Sequence, residues 1–238
     1  MFIIKRYLYF MKLTLIILTF IFGLWLDQTI DFWGQLVTNF WVWTLFLVLL
    51  KKATSTERLS LIACLIYATL GEIFLSLVWG LYEYRLHHLP LFVPPGHVLL
   101  FILGVTLSKK IPSSMLTFVV LLAGSYVVIM TTQGLDTFGG ILFMMFLGCL
   151  VIGKEKALYV TMFVLALLLE IYGTWLGNWM WFSKVPWLSL SSTNPPVCAG
   201  AFYCVLDLLV VSTVTKATRL PVHQTFKFYF EGATGKVK

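Results

Sequence analysis

What most limits this chain is a succession of apolar runs, each close to the length that a helix needs to cross a bilayer. Runs at 8–26, 35–50, 59–81, 96–108, 115–132, 139–153, 157–177 and 197–215 carry few charges. About 20 apolar residues span the hydrocarbon layer as a helix, so the pattern predicts an all-α, polytopic transmembrane bundle of about eight spans. The fourth and sixth runs are short for an upright crossing. Charged residues make up 11% of the chain, against roughly 25% in a soluble domain, so little remains from which to build one. Residues 1–215 read as a single transmembrane domain and 216–238 as a basic cytoplasmic tail. Lys5-Arg6 precede the first run, as in a signal peptide, but Trp25-Leu26-Asp27 stands where a small-residue cleavage site belongs. A retained helix is therefore expected.

The basic residues test this map. Eight crossings put both termini and three loops on one side, and of the 17 Lys and Arg only Arg85 and Lys184 fall on the other. Positive charge gathers on the cytoplasmic face of membrane proteins. The expected placement is thus a multi-pass protein of the bacterial inner (plasma) membrane with both termini cytoplasmic. The net charge of +7 is then matched by anionic lipid headgroups, and no nucleic-acid partner is implied. All nine tryptophans lie on the opposite side or in the outer halves of spans, either as an interfacial anchor or as aromatic walls around a ligand.

Two stretches share parts and order. In the first, a run carrying Glu72 leads to Trp79, Gly80, Tyr82 and Tyr84, then to Pro94-Pro95-Gly96-His97 and another run. In the second, a run carrying Glu170 leads to Gly177, Asn178, Trp179 and Trp181, then to Pro195-Pro196 and a run holding Asp207. Each glutamate is the fourteenth residue of its span, counted from Leu59 and Ala157, which places both roughly 20 Å from the cytoplasmic end. The agreement predicts a tandem repeat of four helices, with halves 1–110 and 111–215, in the same orientation about an axis along the membrane normal. Proline suits the first turn of a helix, so both Pro-Pro pairs are expected to open spans at the outer surface, directing positive dipole ends into a pocket.

Glu72, Glu170 and Asp207 are the acids expected inside the bilayer, where ionisable groups are costly and serve function by default. They are the catalytic candidates, able to exchange a proton with a substrate. The ligand-binding candidates are Trp79, Tyr82, Tyr84, Arg85, Gly96, His97, Asn178, Trp179 and Trp181: the aromatics grip an apolar body, and Gly96 with His97 holds a polar head. The structural alternative is that the acids only bond polar groups on neighbouring helices, and that Pro-Pro is only a rigid helix start. His87, His88 and His97 match no metal-ligand spacing, and no G-x-S-x-G elbow, Gly-rich phosphate loop or H-E-x-x-H is present. No metal or cofactor is expected. Cys198 and Cys204 are nearly two helical turns apart, too far to bridge each other.

Glu170-Ile171-Tyr172-Gly173 with Gly177, and Gly80-x-Tyr82-x-Tyr84 after Glu72, resemble parts of a pattern in the bacterial and archaeal carotenoid hydratase membrane family. The likeness covers two short stretches, and the Thr-Gly step between acid and tyrosines is absent. It implies an isoprenoid substrate. The stretch 79–97 also resembles a segment of uncharacterised bacterial polytopic membrane proteins, which implies no activity.

The expected function is action on an amphipathic lipid or isoprenoid in an outer-leaflet pocket, by carboxyl acid–base chemistry, with membrane lipids as surroundings. A small proton-coupled transporter or flippase is the second reading, with the repeats framing the path. A membrane assembly or scaffold subunit is the third.

Overall fold

The computed structural model describes residues 2–219; residues 220–238 of the expected tail lie outside them. The eight runs all become helices: α1 Phe2–Thr29, α2 Asp31–Lys52, α3 Ser55–Glu72, α4 Val93–Ser108, α5 Ser113–Thr132, α6 Thr137–Ile152, α7 Lys156–Leu176 and α8 Gly200–Thr218. Six are long and apolar enough to cross a membrane: α1, α2, α3 with its extension, α5, α7 and α8. At 16 residues each, α4 and α6 extend roughly 24 Å, less than the hydrocarbon thickness. The last helix runs to Thr218, so the first residues of the expected tail are helical.

Helix ends follow local chemistry. Thr54 and Glu57 form a reciprocal capping box at the start of α3, with Thr54 N–H donating to Glu57 Oε2 at 2.9 Å. Asp136 caps α6 by accepting from Gly139 N at 2.8 Å, and it also accepts from Thr193 Oγ1 and Val197 N. One carboxylate thus fixes both the helix start and the loop that leads to α8.

The centre is a group of four helices, with α3 packed on α4 and α8, and α7 packed on α4 and α8. The hairpins α1–α2 and α5–α6 flank it. Short α4 is hydrophobic all round and buried from Val93 to Thr106 apart from His97, as an interior helix must be. By contrast, α5 buries only Ala123 and Val127 and exposes Phe118, Leu121, Leu122 and Val128. An apolar exterior of this extent is a lipid-facing surface.

Two strands, the ones found among the described residues, join the loops at one end of this group. β1 is Tyr82–Tyr84 and β2 is Trp179–Trp181, paired antiparallel with Tyr82 opposite Trp181 and Tyr84 opposite Trp179. Gly80 at φ +72° turns the chain into β1, and Gly177 at φ +86° caps α7 before β2. Both positions are left-handed, where glycine alone lacks a Cβ penalty.

Candidate functional site

The two strands explain why Tyr-x-Tyr and Trp-x-Trp sit where they do. Alternate residues of a strand point to opposite faces, so Tyr82, Tyr84, Trp179 and Trp181 turn inward and are buried, while Met180 faces out. Beneath them lie the carboxyls of Glu72, the last residue of α3, and Glu170 in α7.

Both carboxylates are held in one manner. Glu72 Oε2 accepts from Tyr82 Oη at 2.7 Å and Tyr84 Oη at 2.6 Å. Glu170 Oε2 accepts from Trp179 Nε1 at 2.8 Å and Trp181 Nε1 at 2.9 Å. Each acid therefore has one oxygen occupied by two aromatic donors from its own following strand. The other oxygen faces across the site. Glu72 Oε1 lies 3.2 Å from His97 Nε2, and Glu170 Oε1 accepts from Tyr203 Oη at 3.4 Å. The imidazole of His97 stacks on the Tyr203 ring with centroids 4.8 Å apart and planes 6° from parallel.

The histidine contact fixes where a proton can be. Val93 O lies 3.0 Å from His97 Nδ1, and a carbonyl only accepts, so Nδ1 carries hydrogen. The close pair Nε2 and Glu72 Oε1 then holds one further proton between two basic atoms. An imidazole–carboxyl pair of this kind can release that proton or take it back. The donors around it keep their own. Burial, and then the charge of Glu72, hold the phenols of Tyr82 and Tyr84 well above tyrosine's ordinary value.

A cavity of about 50 Å³ opens on this cluster, lined by Glu72, Glu170, Tyr84, Gly96, His97 and Tyr203 among others. A second, of about 60 Å³, is also lined by Glu72, His97, Glu170 and Tyr203, together with Tyr67, Leu75 and Leu206. Gly96 meets nothing within 4 Å of where a side chain would begin, which leaves the cavity its space. Directly after Glu72, on the way to β1, the helix widens into a π-helical turn, Ile73–Val78, closed by Trp79 N donating to Phe74 O at 2.7 Å. Such turns recur at functional sites because they shift a side chain relative to the regular helix.

Four candidates do not join the cluster. Trp79 donates Nε1 to Pro186 O at 3.0 Å and stacks on Trp187, which makes it part of the loop packing. Arg85 and Asn178 meet Asp27 of α1. Asn178 Nδ2 donates to Asp27 Oδ2 at 2.7 Å and to Leu24 O at 3.0 Å, and Arg85 Nη2 lies 3.7 Å from Asp27 Oδ1. They pin the first helix to the strands. Asp207 is fully buried, one helical turn beyond Tyr203, and neither of its oxygens has a hydrogen-bond partner among the described residues. Pro94-Pro95 do open α4, but Pro195-Pro196 lie in a turn and α8 begins only at Gly200. The polar side chains of Thr193 and Asp136 organise that turn, with Thr193 Oγ1 donating to Pro195 O at 2.9 Å.

Sequence reading missed Tyr203 and Asp27. Tyr203 sits one turn before Asp207, and a tyrosine four residues from an intramembrane acid is a signal on the same helix face. Asp27 ends an apolar run, where an acid draws no notice. The other histidines go elsewhere: His87 Nδ1 is 2.6 Å from Glu83 Oε1 and His88 Nε2 is 2.8 Å from Gln35 Oε1. No group of three or more His, Cys, Asp or Glu able to hold a metal ion occurs among the described residues. No family model, no curated protein and no solved structure matches this chain.

Proposed function

We propose that this chain is a multi-pass protein of the bacterial inner membrane that acts on the polar end of an amphipathic lipid or isoprenoid, by proton exchange at paired carboxyls beneath the outer surface. The carrying observation is that Glu72 and Glu170 line one cavity, each with one oxygen saturated by aromatic donors and the other directed at the His97–Tyr203 stack. Saturating one oxygen orients the carboxyl, and the free edge does the chemistry. The Glu72–His97 pair supplies or removes the proton, and Glu170 acts on the same substrate group from the other side. Asp207, one turn beyond Tyr203 on α8, stands outside this exchange and tunes it through the low-dielectric interior.

The matched acid, strand and donor sets support a tandem four-helix repeat about an axis along the membrane normal, with all eight helices traversing the bilayer, α4 and α6 in thinned or tilted form. The distribution of Lys and Arg supports cytoplasmic termini. The carotenoid hydratase likeness supports a long isoprenoid as the substrate class.

The test is the lipid that copurifies with the protein, identified by mass spectrometry from wild type, Glu72→Gln and Glu170→Gln. A bound amphiphile lost or chemically altered in both variants supports the reading. The same bound species at the same level in all three proteins overturns it. The two small cavities that share one acid cluster also favour a proton-coupled transporter, for which uptake driven by a proton gradient in proteoliposomes is the deciding assay.

A further inference from the structure

Outside the acid cavity, between α1 and α2, lies a groove of about 300 Å³ walled by apolar side chains such as Leu18, Phe22, Val37 and Trp41. These four face outward and are exposed. Three residues, Thr19, Gly23 and Thr38, line both the groove and the acid cavity. The partition between the two spaces is thus a thin one. It is closed by Trp41 Nε1 donating to Thr19 Oγ1 at 3.0 Å and by Thr38 Oγ1 donating to Gly23 O at 3.1 Å. At its middle there is no side chain at all, since position 23 is glycine, and a Cβ there would already approach Thr38 Cγ2 to 3.3 Å.

We propose that this groove holds the hydrocarbon chain of a single-chain amphiphile with a small polar end, a long-chain alcohol in chemical class, which passes laterally from the bilayer between α1 and α2. The inference rests on the acid-pocket reading and narrows its substrate. Size decides the polar end. A water-sized group takes roughly 10–15 Å³ of such space, so the cavity of about 50 Å³ has room for a hydroxyl-bearing terminus, and the paired carboxyls of Glu72 and Glu170 in its wall disfavour an anionic phosphodiester headgroup. Polarity decides the orientation. The groove walls are apolar and continuous with the lipid, while the carboxyls lie past the partition, so the chain stays outside and the polar end goes in. Opening requires that the Trp41 ring swing off Thr19 and that Thr38 release Gly23 O, exchanging two hydrogen bonds for contact with the arriving chain.

The probe is a long-chain alcohol carrying a diazirine beside its hydroxyl, added to the full protein in proteoliposomes, illuminated, and mapped by peptide mass spectrometry. Any annular lipid labels Phe22, whereas Leu24 and Val42, at 5% and 3% exposure, line the cavity side. The expected result is label on Leu24 or Val42, lost in Gly23→Leu while label on Phe22 persists and the thermal unfolding midpoint stays near that of wild type, which shows that the variant is folded. Trp41→Phe, which removes the indole donor without adding bulk, is expected to raise inner labelling. Label confined to the groove in wild type, or inner label unchanged in Gly23→Leu, overturns the lateral path. Loss of inner label in Glu72→Gln/Glu170→Gln supports path and site together. Inner label that depends on Gly23 but not on the two acids keeps the path and overturns the acid-pocket reading.

Discussion

His97 lies flat on Tyr203, with ring centroids 4.8 Å apart, and this stack joins the two carboxylates into one unit. His97 reaches Glu72 Oε1 and Tyr203 reaches Glu170 Oε1. A proton moved at one acid therefore alters the partner of a ring stacked on the partner of the other. Residues coupled in this way are expected to give non-additive effects in double variants.

Tyr84→Phe removes the shorter of the two phenol bonds to Glu72. A bond to a charged group is worth about 1.5–3 kcal/mol, and the fall in stability should be of that size. Tyr82→Phe should do the same, and the pair should differ from the sum because both donate to one oxygen. Equilibrium unfolding in detergent measures this. A loss under about 0.5 kcal/mol for both single variants would show that the phenols do not hold the carboxylate.

Gly173→Ala tests the packing of β2 against α7. A Cβ at 173 would collide with the ring of Trp179, whose indole holds Glu170. Forcing an extra methyl into such a contact costs about 1–3 kcal/mol. The expected outcome is lower stability together with lost ligand retention, as in Glu170→Gln. A variant with wild-type stability and retention would mean that the ring moves freely.

Asp207 has two buried oxygens with no hydrogen-bond partner among the described residues. Removing an unsatisfied buried group restores about 1–3 kcal/mol. Asp207→Leu is therefore expected to raise the unfolding midpoint while reducing activity, the signature of a residue kept for function. A clear loss of stability would assign Asp207 a structural partner instead.

Alkaline pH gives a signed test. The phenols of Tyr82 and Tyr84 are held above their ordinary value in the folded protein, so above about pH 10 the unfolded chain loses protons that the folded one keeps. Their contribution is full below that pH and drains away as pH rises past it. Thermal melts from neutral pH upward should show a fall that begins near pH 10 and is shallower in Tyr82→Phe/Tyr84→Phe. An equal fall in both proteins would place the alkaline sensitivity elsewhere.

Much of the molecule was legible in the sequence. The helix count and the order of a glutamate followed by a Tyr-x-Tyr or Trp-x-Trp step follow from periodicity and spacing along the chain, whereas Glu72 ends α3 as its eighteenth residue and Glu170 is the fifteenth of α7. The roles of Trp79, Arg85 and Asn178 were not legible. Each belongs to an aromatic or polar type that suits a ligand, and each is taken instead by Pro186 or Asp27, partners far away in sequence. Pro195-Pro196 misled for a related reason: the turn they form is set by Asp136, about sixty residues earlier.

The sequence alone determined that this chain must form apolar helices with three acids among them, because burying a backbone in lipid leaves few other solutions and a charge there stands out. Only the tertiary structure decided that two of those acids line one cavity and the third stands apart. Depth along a helix is written in residue number, but the direction a side chain faces depends on how α3, α4, α7 and α8 rotate against one another. That rotation is fixed by packing across the whole bundle and by the pairing of two three-residue strands, neither of which any single stretch of sequence contains.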